Sequence, residues 1–157
     1  MRRARITGFE RTLARLNNLA RLRGRDAKLP EHLALGIAGE DAVFFYLRRK
    51  RYTVVARRWS SGDLPGDVDL IAWDAPVLCF IEVKTRSART ITPAEVAVDE
   101  RKRTILRRLA RRYVRQLPQA TAPPVRFDVI SVYLVPGRKP EFEHYKAAFS
   151  WSEGPGD

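Results

Sequence analysis

Hydrophobic and polar residues recur along the chain with two periods, which predict different elements. Apolar residues return every three or four positions over residues 8–23, from about 30 to 50, and over 99–117, as in amphipathic helices. A short helix is also predicted to begin near Pro93. Runs rich in β-branched residues predict five strands, at 52–58, 68–73, 77–85, 126–135 and 141–145. A tight turn at 74–76 joins the second and third strands into an antiparallel hairpin, so we expect an α/β protein.

The helix predicted from about 30 to 50 carries a carboxylate on its apolar side. The apolar stripe of this helix consists of Leu33, Gly36, Ile37, Phe44 and Leu47. Glu40 lies on the same stripe, and a carboxylate that faces a core requires a partner. A buried salt bridge or a position at the edge of the stripe would satisfy Glu40 without any function. The acidic residues predicted nearby in the sheet favour a functional role.

Positive charge is confined to two segments of the chain. The protein has 157 residues, enough for one domain with a hydrophobic core, and a formal net charge of +12. Residues 1–28 contribute +7 and residues 99–117 contribute +6, so the remainder is nearly neutral. Charge localised in this way favours nucleic acid over a membrane as the partner. Two solvated helix faces would produce the same charge pattern.

The sequence divides into three parts. Residues 1–29 are predicted to be a basic N-terminal helical extension, 30–149 the main domain, and 150–157 a flexible tail. No apolar run reaches the length of a membrane span, and no apolar signal core follows the basic N-terminus, so we expect a cytoplasmic protein. The only cysteine, Cys79, is expected to be a small buried hydrophobe. The two histidines are far apart and have no cysteine partners, which argues against a zinc site.

Two of the predicted strands carry charged residues inside apolar runs. Asp69 lies in the second strand, and Glu82 and Lys84 lie on one face of the third because side chains alternate along a strand. The hairpin can bring Asp69 beside Glu82, and such carboxylates suit Mg²⁺ or Mn²⁺, which would activate water and stabilise charge at a phosphate. Glu40 could complete the metal's coordination. Lys84 could position or deprotonate the attacking water, or neutralise charge at phosphorus.

The order of these motifs resembles a known family. Asp69 followed by Glu82-Val83-Lys84 is similar to the PD-(D/E)xK signature of nucleases with the restriction-endonuclease-like fold. The wider sequence resembles the YraN family of endonuclease-like bacterial proteins over roughly residues 33–149. The motifs that carry this resemblance are Gly39-Glu40 and those at 66–71, 80–86, 98–103, 126–129 and 148–149. Asp67 departs from the family pattern, which usually has Glu at that position.

The resemblance implies a fold, a site and an activity. The implied fold is a restriction-endonuclease-like mixed β-sheet of about five strands flanked by helices, with an extra N-terminal helix in this chain. The implied catalytic residues are Glu40, Asp69, Glu82 and Lys84, of which the three carboxylates would bind the metal. The implied activity is metal-dependent hydrolysis of nucleic-acid phosphodiester bonds, as in archaeal Holliday-junction resolvases. We expect DNA as the partner, and a homodimer would make cleavage of two strands easier.

Contacts to nucleic acid are expected along the basic helix predicted at 99–117. The candidate residues are Lys102, Arg103, Arg107 and Arg111. Because such residues contact backbone phosphates, binding should be sensitive to salt and largely independent of base sequence. Two other interpretations remain. The protein could bind nucleic acid on the same fold without cleaving it, or residues 1–28 could dock a protein partner.

Overall fold

The computed structural model describes residues 30–87, 98–118 and 122–151. The elements in these ranges are α1 (Glu31–Arg49), β1 (Thr53–Trp59), β2 (Val68–Asp74), β3 (Val77–Arg86), α2 (Glu100–Val114), β4 (Val125–Tyr133) and β5 (Glu141–Phe149). The five predicted strands and the helices predicted from about 30 to 50 and over 99–117 are confirmed, although their ends shift by a few residues. The helices predicted at 8–23 and near Pro93 lie outside the described residues.

The strands form one mixed sheet in the order β1-β2-β3-β4-β5. β1, β2 and β3 pair antiparallel, β3 and β4 pair parallel, and β5 pairs antiparallel with β4. The predicted hairpin of β2 and β3 is confirmed. Two neighbouring parallel strands require a long crossover connection, and α2 lies in the connection from β3 to β4. The predicted mixed sheet of five strands flanked by helices is therefore confirmed.

The two helices cover opposite faces of this sheet. On one face, Val43 and Leu47 of α1 pack in a cluster that includes Leu70 and Ile81. On the other face, Leu106 and Leu109 of α2 pack in a second cluster. The second cluster also contains Phe80 from β3 and Phe127 from β4. Each of the central strands β2, β3 and β4 contributes residues to both clusters, as expected for strands buried on both faces.

The buried side of α1 differs from the predicted stripe. The buried residues of α1 are Ala38, Gly39, Val43 and Leu47. Leu33, which was predicted on the stripe, is 48% exposed. The helix approaches the sheet through small residues, because a Cβ atom on Gly39 would lie 1.8 Å from Thr85 Oγ1. A search for large apolar residues misses such a contact.

α2 begins at the predicted N-cap, Asp99. The Asp99 carboxylate accepts a hydrogen bond of 2.8 Å from the backbone N–H of Lys102. This bond satisfies one of the N–H groups that a helix leaves unpaired at its start. It therefore stabilises the start of α2 at Glu100.

Two further expectations concern apolar segments. Cys79 is fully buried in β3, and burial raises the pKa of its thiol to about 12. Its predicted role as a small buried hydrophobe is confirmed. Neither α1 nor α2, the two helices in the described ranges, is long and apolar enough to cross a membrane.

Candidate active site

The structure brings the four predicted catalytic residues to one cavity of about 320 Å³. Glu40 reaches it from α1, Asp69 from β2, and Glu82 and Lys84 from β3. The other residues that line the cavity are His32, Leu35, Gly36, Val83 and Thr85. Three separate elements thus supply acidic and basic side chains to one place.

The register of the hairpin places Asp69 beside the charged end of β3. Leu70 of β2 pairs with Ile81 of β3, so the residues that follow along the ladder are Asp69 and Glu82. Asp69 Oδ2 accepts a hydrogen bond of 2.7 Å from the backbone N–H of Val83. This bond holds the Asp69 carboxylate against the strand that carries Glu82 and Lys84.

Asp69 and Glu82 form an acidic pair with little access to solvent. The Glu82 side chain is 6% exposed. Burial, together with the negative charge of Glu82, raises the pKa of Asp69 to about 7. Both effects disfavour an ionised carboxylate. Loss of the Asp69 proton is therefore disfavoured at this site, chiefly because the carboxylate is buried.

Two lysines contact Glu82 from different elements. Lys84 Nζ lies 3.1 Å from Glu82 Oε1. Lys102 Nζ, from the first turn of α2, lies 3.1 Å from Glu82 Oε2 in an ion pair. Lys102 Nζ also donates a hydrogen bond of 3.3 Å to the backbone carbonyl of Asp67. Of the residues predicted to contact nucleic acid, Lys102 is thus the one that the structure brings to the acidic pair.

Arg58 is a member of the site that sequence reasoning missed. Its Nε donates to Glu40 Oε2 at 2.6 Å, and this bond raises the pKa of the Arg58 guanidinium. Arg58 has a φ of 47°, in the left-handed region that non-glycine residues rarely adopt. Its neighbour Arg57 forms an ion pair with Asp41. No sequence motif indicates these pairings, because they depend on how the end of β1 lies against α1.

The oxygen donors of the cavity fit a divalent cation. Glu40, Asp69 and Glu82 are carboxylates, which are ligands that Mg²⁺ and Mn²⁺ prefer. Burial, and after it the charge of Glu82, raises the pKa of Asp69, and a bound cation would favour the ionised carboxylate. In the residues that the structure describes, no group of three His, Cys, Asp or Glu side chains is already gathered at metal-binding spacing. Arg58, Lys84 and Lys102 pair with the carboxylates instead.

The other predicted nucleic-acid contacts lie on a different side of α2. Arg103 and Arg107 lie over the ring of Phe149, at 5.7 and 5.5 Å from its centre. Arg111 lies over the ring of Trp151 at 5.6 Å. Arg107 is 5% exposed, so phosphates in solution do not reach it. The structure therefore does not bring Arg103, Arg107 and Arg111 together with the acidic pair.

Comparison with known proteins identifies the family. The model of the "Uncharacterised protein family UPF0102" matches residues 39–132, which include all four predicted catalytic residues. A UPF0102 protein of Koribacter versatilis is 48% identical over 120 residues, covering 76% of this chain and 82% of that protein. A UPF0102 protein of Solibacter usitatus is 44% identical over 114 residues, covering 73% and 84%. These matches agree with the predicted resemblance at the level of the family, and the chain belongs to the uncharacterised protein family UPF0102.

Proposed function

We propose that this protein is a metal-dependent nuclease that hydrolyses phosphodiester bonds in DNA, with a substrate class similar to that of Holliday-junction resolvases. One observation carries the proposal. Glu40, Asp69, Glu82 and Lys84 line a single cavity, in which burial and the neighbouring charge of Glu82 raise the pKa of Asp69 to about 7. Paired carboxylates can hold a metal that activates water, and an adjacent lysine can stabilise the charge that develops at phosphorus.

The residues of the cavity have separable roles in this proposal. Asp69, Glu82 and Glu40 would hold Mg²⁺ or Mn²⁺, which when bound supplies Lewis-acid activation of water and stabilises charge at phosphorus. The backbone N–H of Val83 orients Asp69. Lys84 is 29% exposed, so its ammonium can reach a phosphate oxygen or a water in the cavity while it pairs with Glu82. Lys102 holds the other oxygen of Glu82.

A cleavage assay tests this function. The full chain is incubated with four-way junction, duplex and single-stranded DNA, each with Mg²⁺, with Mn²⁺ or with EDTA. We expect cleavage that requires metal, and we expect Asp69→Ala and Lys84→Ala each to reduce its rate by about 10²–10³-fold while DNA binding is retained. Arg138→Ala is the control, because Arg138 is exposed and does not line the cavity. The absence of metal-dependent cleavage on every substrate would contradict the proposal.

A second function, nucleic-acid binding without cleavage, is favoured by a different observation. Glu40 pairs with Arg58, and Glu82 pairs with Lys84 and Lys102, so the protein itself supplies cations to these carboxylates. Such pairing could stabilise the acidic residues with no metal present. Calorimetric titration with Mn²⁺ separates the two functions. The nuclease requires binding that Asp69→Ala weakens, whereas the binding protein should show no site-specific uptake of metal.

A further inference from the structure

α2 carries two rows of arginines that face different directions. The inner row, Arg103, Arg107 and Arg111, faces aromatic rings of the C-terminal segment. The outer row consists of Arg101, Arg108, Arg112 and the C-cap residue Arg115, all of which are exposed. Total charge alone does not distinguish these rows, but their surroundings do.

The inner row attaches α2 to the end of the chain. Arg107 donates hydrogen bonds to Glu100 Oε1 at 2.6 Å and to the backbone carbonyl of Ser150 at 3.1 Å. Trp151, beneath Arg111, stacks on Phe127 with 5.6 Å between ring centres. Trp151 was predicted to lie in a flexible tail at 150–157, and the remainder of that segment is outside the described residues. These arginines therefore have structural partners.

The outer row has few partners of its own. Arg112 lies 3.6 Å from Asp63 in an exposed ion pair, which contributes little stability. No carboxylate in the described ranges forms an ion pair with Arg101, Arg108 or Arg115. At 3.6 residues per turn, the four outer positions fall within an arc of about 60°, and at 1.5 Å per residue they extend over about 21 Å. They form a straight and narrow row of positive charge.

This row begins beside the cavity. Lys102 follows Arg101 directly and reaches Glu82, so the N-terminal end of α2 lies at the acidic pair. The hydrogen bond between Asp99 and the backbone of Lys102 holds this turn in place. A chain of phosphates bound along the outer row would therefore extend from the cavity toward the C-terminal end of α2.

We propose that the outer row of α2 binds the phosphate backbone of duplex nucleic acid and leads it to the cavity. This inference rests on the proposed function in taking nucleic acid as the partner. A row of arginines neutralises backbone phosphates without reading base sequence. The outer row is a different set of arginines from the contact residues predicted from the sequence. It is identified by its exposure to solvent.

The surroundings of the row favour a duplex over a single strand. Proteins that bind single strands place aromatic side chains where the bases can stack. The aromatic residue of α2, Tyr113, packs edge-on against Trp59 and Phe80 instead. Trp151 is stacked on Phe127 and has Arg111 over its ring. Within the described ranges, the outer row therefore offers charge for a backbone but no adjacent aromatic platform for unpaired bases.

The test compares two variants from which the same amount of charge is removed. The first replaces Arg101, Arg108, Arg112 and Arg115 with glutamine, which keeps a high helix propensity. The control replaces four exposed basic residues outside α2, namely Arg48, Arg49, Arg138 and Lys139. Binding of the full chain to a labelled 24-base-pair duplex is measured by fluorescence anisotropy in EDTA over a range of salt concentrations. Circular dichroism verifies that each variant is folded.

We expect the slope of log K against log salt to become less steep by about 0.9 for each backbone phosphate that is no longer neutralised, or about 3.6 for the outer-row variant. The control should keep the slope of the unmodified protein. Two double variants, Arg101→Gln with Arg108→Gln and Arg112→Gln with Arg115→Gln, should each reduce the slope by about 1.8. These double variants provide the test if the fourfold variant fails to fold.

Three outcomes would overturn the inference. The first is an unchanged slope in the outer-row variants, and the second is an equal reduction in the control, which would indicate net charge alone. The third is a reduction for a single strand as large as that for the duplex. Binding is measured without metal, so it is independent of the cleavage assay. If the unmodified protein cleaves DNA but the outer-row variants keep its salt slope, only this inference fails. A reduced slope without cleavage would remove only the nuclease.

Discussion

Gly39 is the residue at which α1 comes closest to the sheet. A Cβ atom at this position would lie 1.8 Å from Thr85 Oγ1 and 2.8 Å from Thr85 Cβ. Rotating the Thr85 side chain would not remove the second contact, so α1 or β3 would have to move. Because Glu40 follows Gly39 and Lys84 precedes Thr85, this contact sets the distance between two walls of the cavity.

Two glycines of α1 provide a matched pair of substitutions. We expect Gly39→Ala to lower the free energy of unfolding by about 1–3 kcal/mol because it overpacks the contact with Thr85. Gly36→Ala should raise it by about 0.5–1 kcal/mol, since no atom lies within 4 Å of the new Cβ and alanine favours the helix. Urea unfolding measures both. Equal effects of the two substitutions would contradict the close approach at Gly39.

Asp69 should reduce stability in the pH range where it ionises. Its pKa is raised by burial and by Glu82 to about 7, from about 3.9 in an unfolded chain. A carboxyl group with a raised pKa favours unfolding increasingly as pH rises from about 4 to 7. We expect Asp69→Asn to raise the free energy of unfolding at pH 8 by up to about 4 kcal/mol, with no gain at pH 4. Glu31→Gln, on the exposed first turn of α1, is the control. A loss of stability at pH 8 would contradict this account.

At the scale of elements, the start of α2 is the feature that links local sequence to the site. Asp99 caps the helix through the backbone N–H of Lys102, and the side chain of Lys102 contacts Glu82. A shift of this turn would change the position of the lysine relative to the acidic pair. The cap therefore contributes to the geometry of the cavity as well as to the stability of the helix.

Substitution of Asp99 tests that link. We expect Asp99→Ala to lower the free energy of unfolding by about 0.5–2 kcal/mol because a helix N–H loses its acceptor. Asp99→Asn should retain most of the stability, since asparagine is also a good N-cap residue. Chemical denaturation compares the three proteins. If alanine and asparagine had the same effect, the stabilisation would not come from the capping bond.

At the scale of the whole molecule, a buried ionic network ties the outer strand β5 to the centre of the sheet. Asp128 of β4 is fully buried and accepts hydrogen bonds from Arg126 Nε at 2.8 Å and from the backbone N–H of Ala147 at 3.0 Å. His144 Nε2 lies 3.0 Å from the same carboxylate. Arg126 also donates to Asp74 at the end of β2. Three strands thus share one set of charges.

This network should make stability depend on pH. Burial raises the pKa of Asp128. Hydrogen bonds with His144 and Arg126 lower it by more than burial raises it, so the pKa of Asp128 lies below its ordinary value. A carboxylate with a depressed pKa contributes stability above the unfolded pKa of about 3.9, and that contribution is lost as pH falls.

Asp128→Asn is expected to lower the free energy of unfolding at pH 7 by about 1.5–3 kcal/mol, because Arg126 loses a buried charged acceptor and keeps its bond to Asp74. Below pH 4, the free energy of unfolding of this variant should decrease less with falling pH than that of the unmodified protein. Thermal unfolding across pH 2–8 measures both effects, with Glu31→Gln as the control for removal of one negative charge. An unchanged pH profile in Asp128→Asn would show that Asp128 does not contribute to it.

The family pattern and local spacing predicted much of the candidate site. Asp69, Glu82 and Lys84 could be assigned to a hairpin because strand alternation and the turn at 74–76 are visible over short distances. Arg58 could not be assigned, because its bond to Glu40 joins residues 18 positions apart and depends on the packing of α1 against β1. The predicted stripe of α1 was right at Leu47 and wrong at Leu33 for a similar reason, since the small residues Ala38 and Gly39 at the helix–sheet contact carry no large apolar signal.

The sequence by itself determined the five strands, the hairpin, the N-cap at Asp99 and the family, because these follow from short-range spacing and from motifs in a given order. Only the tertiary structure decided which charges neutralise one another and which face outward. Arg107 and Arg108 are neighbours of the same type, yet Arg107 is buried against Phe149 and Arg108 is exposed. The physical reason is that the burial of a charged side chain depends on which distant strand packs beside it.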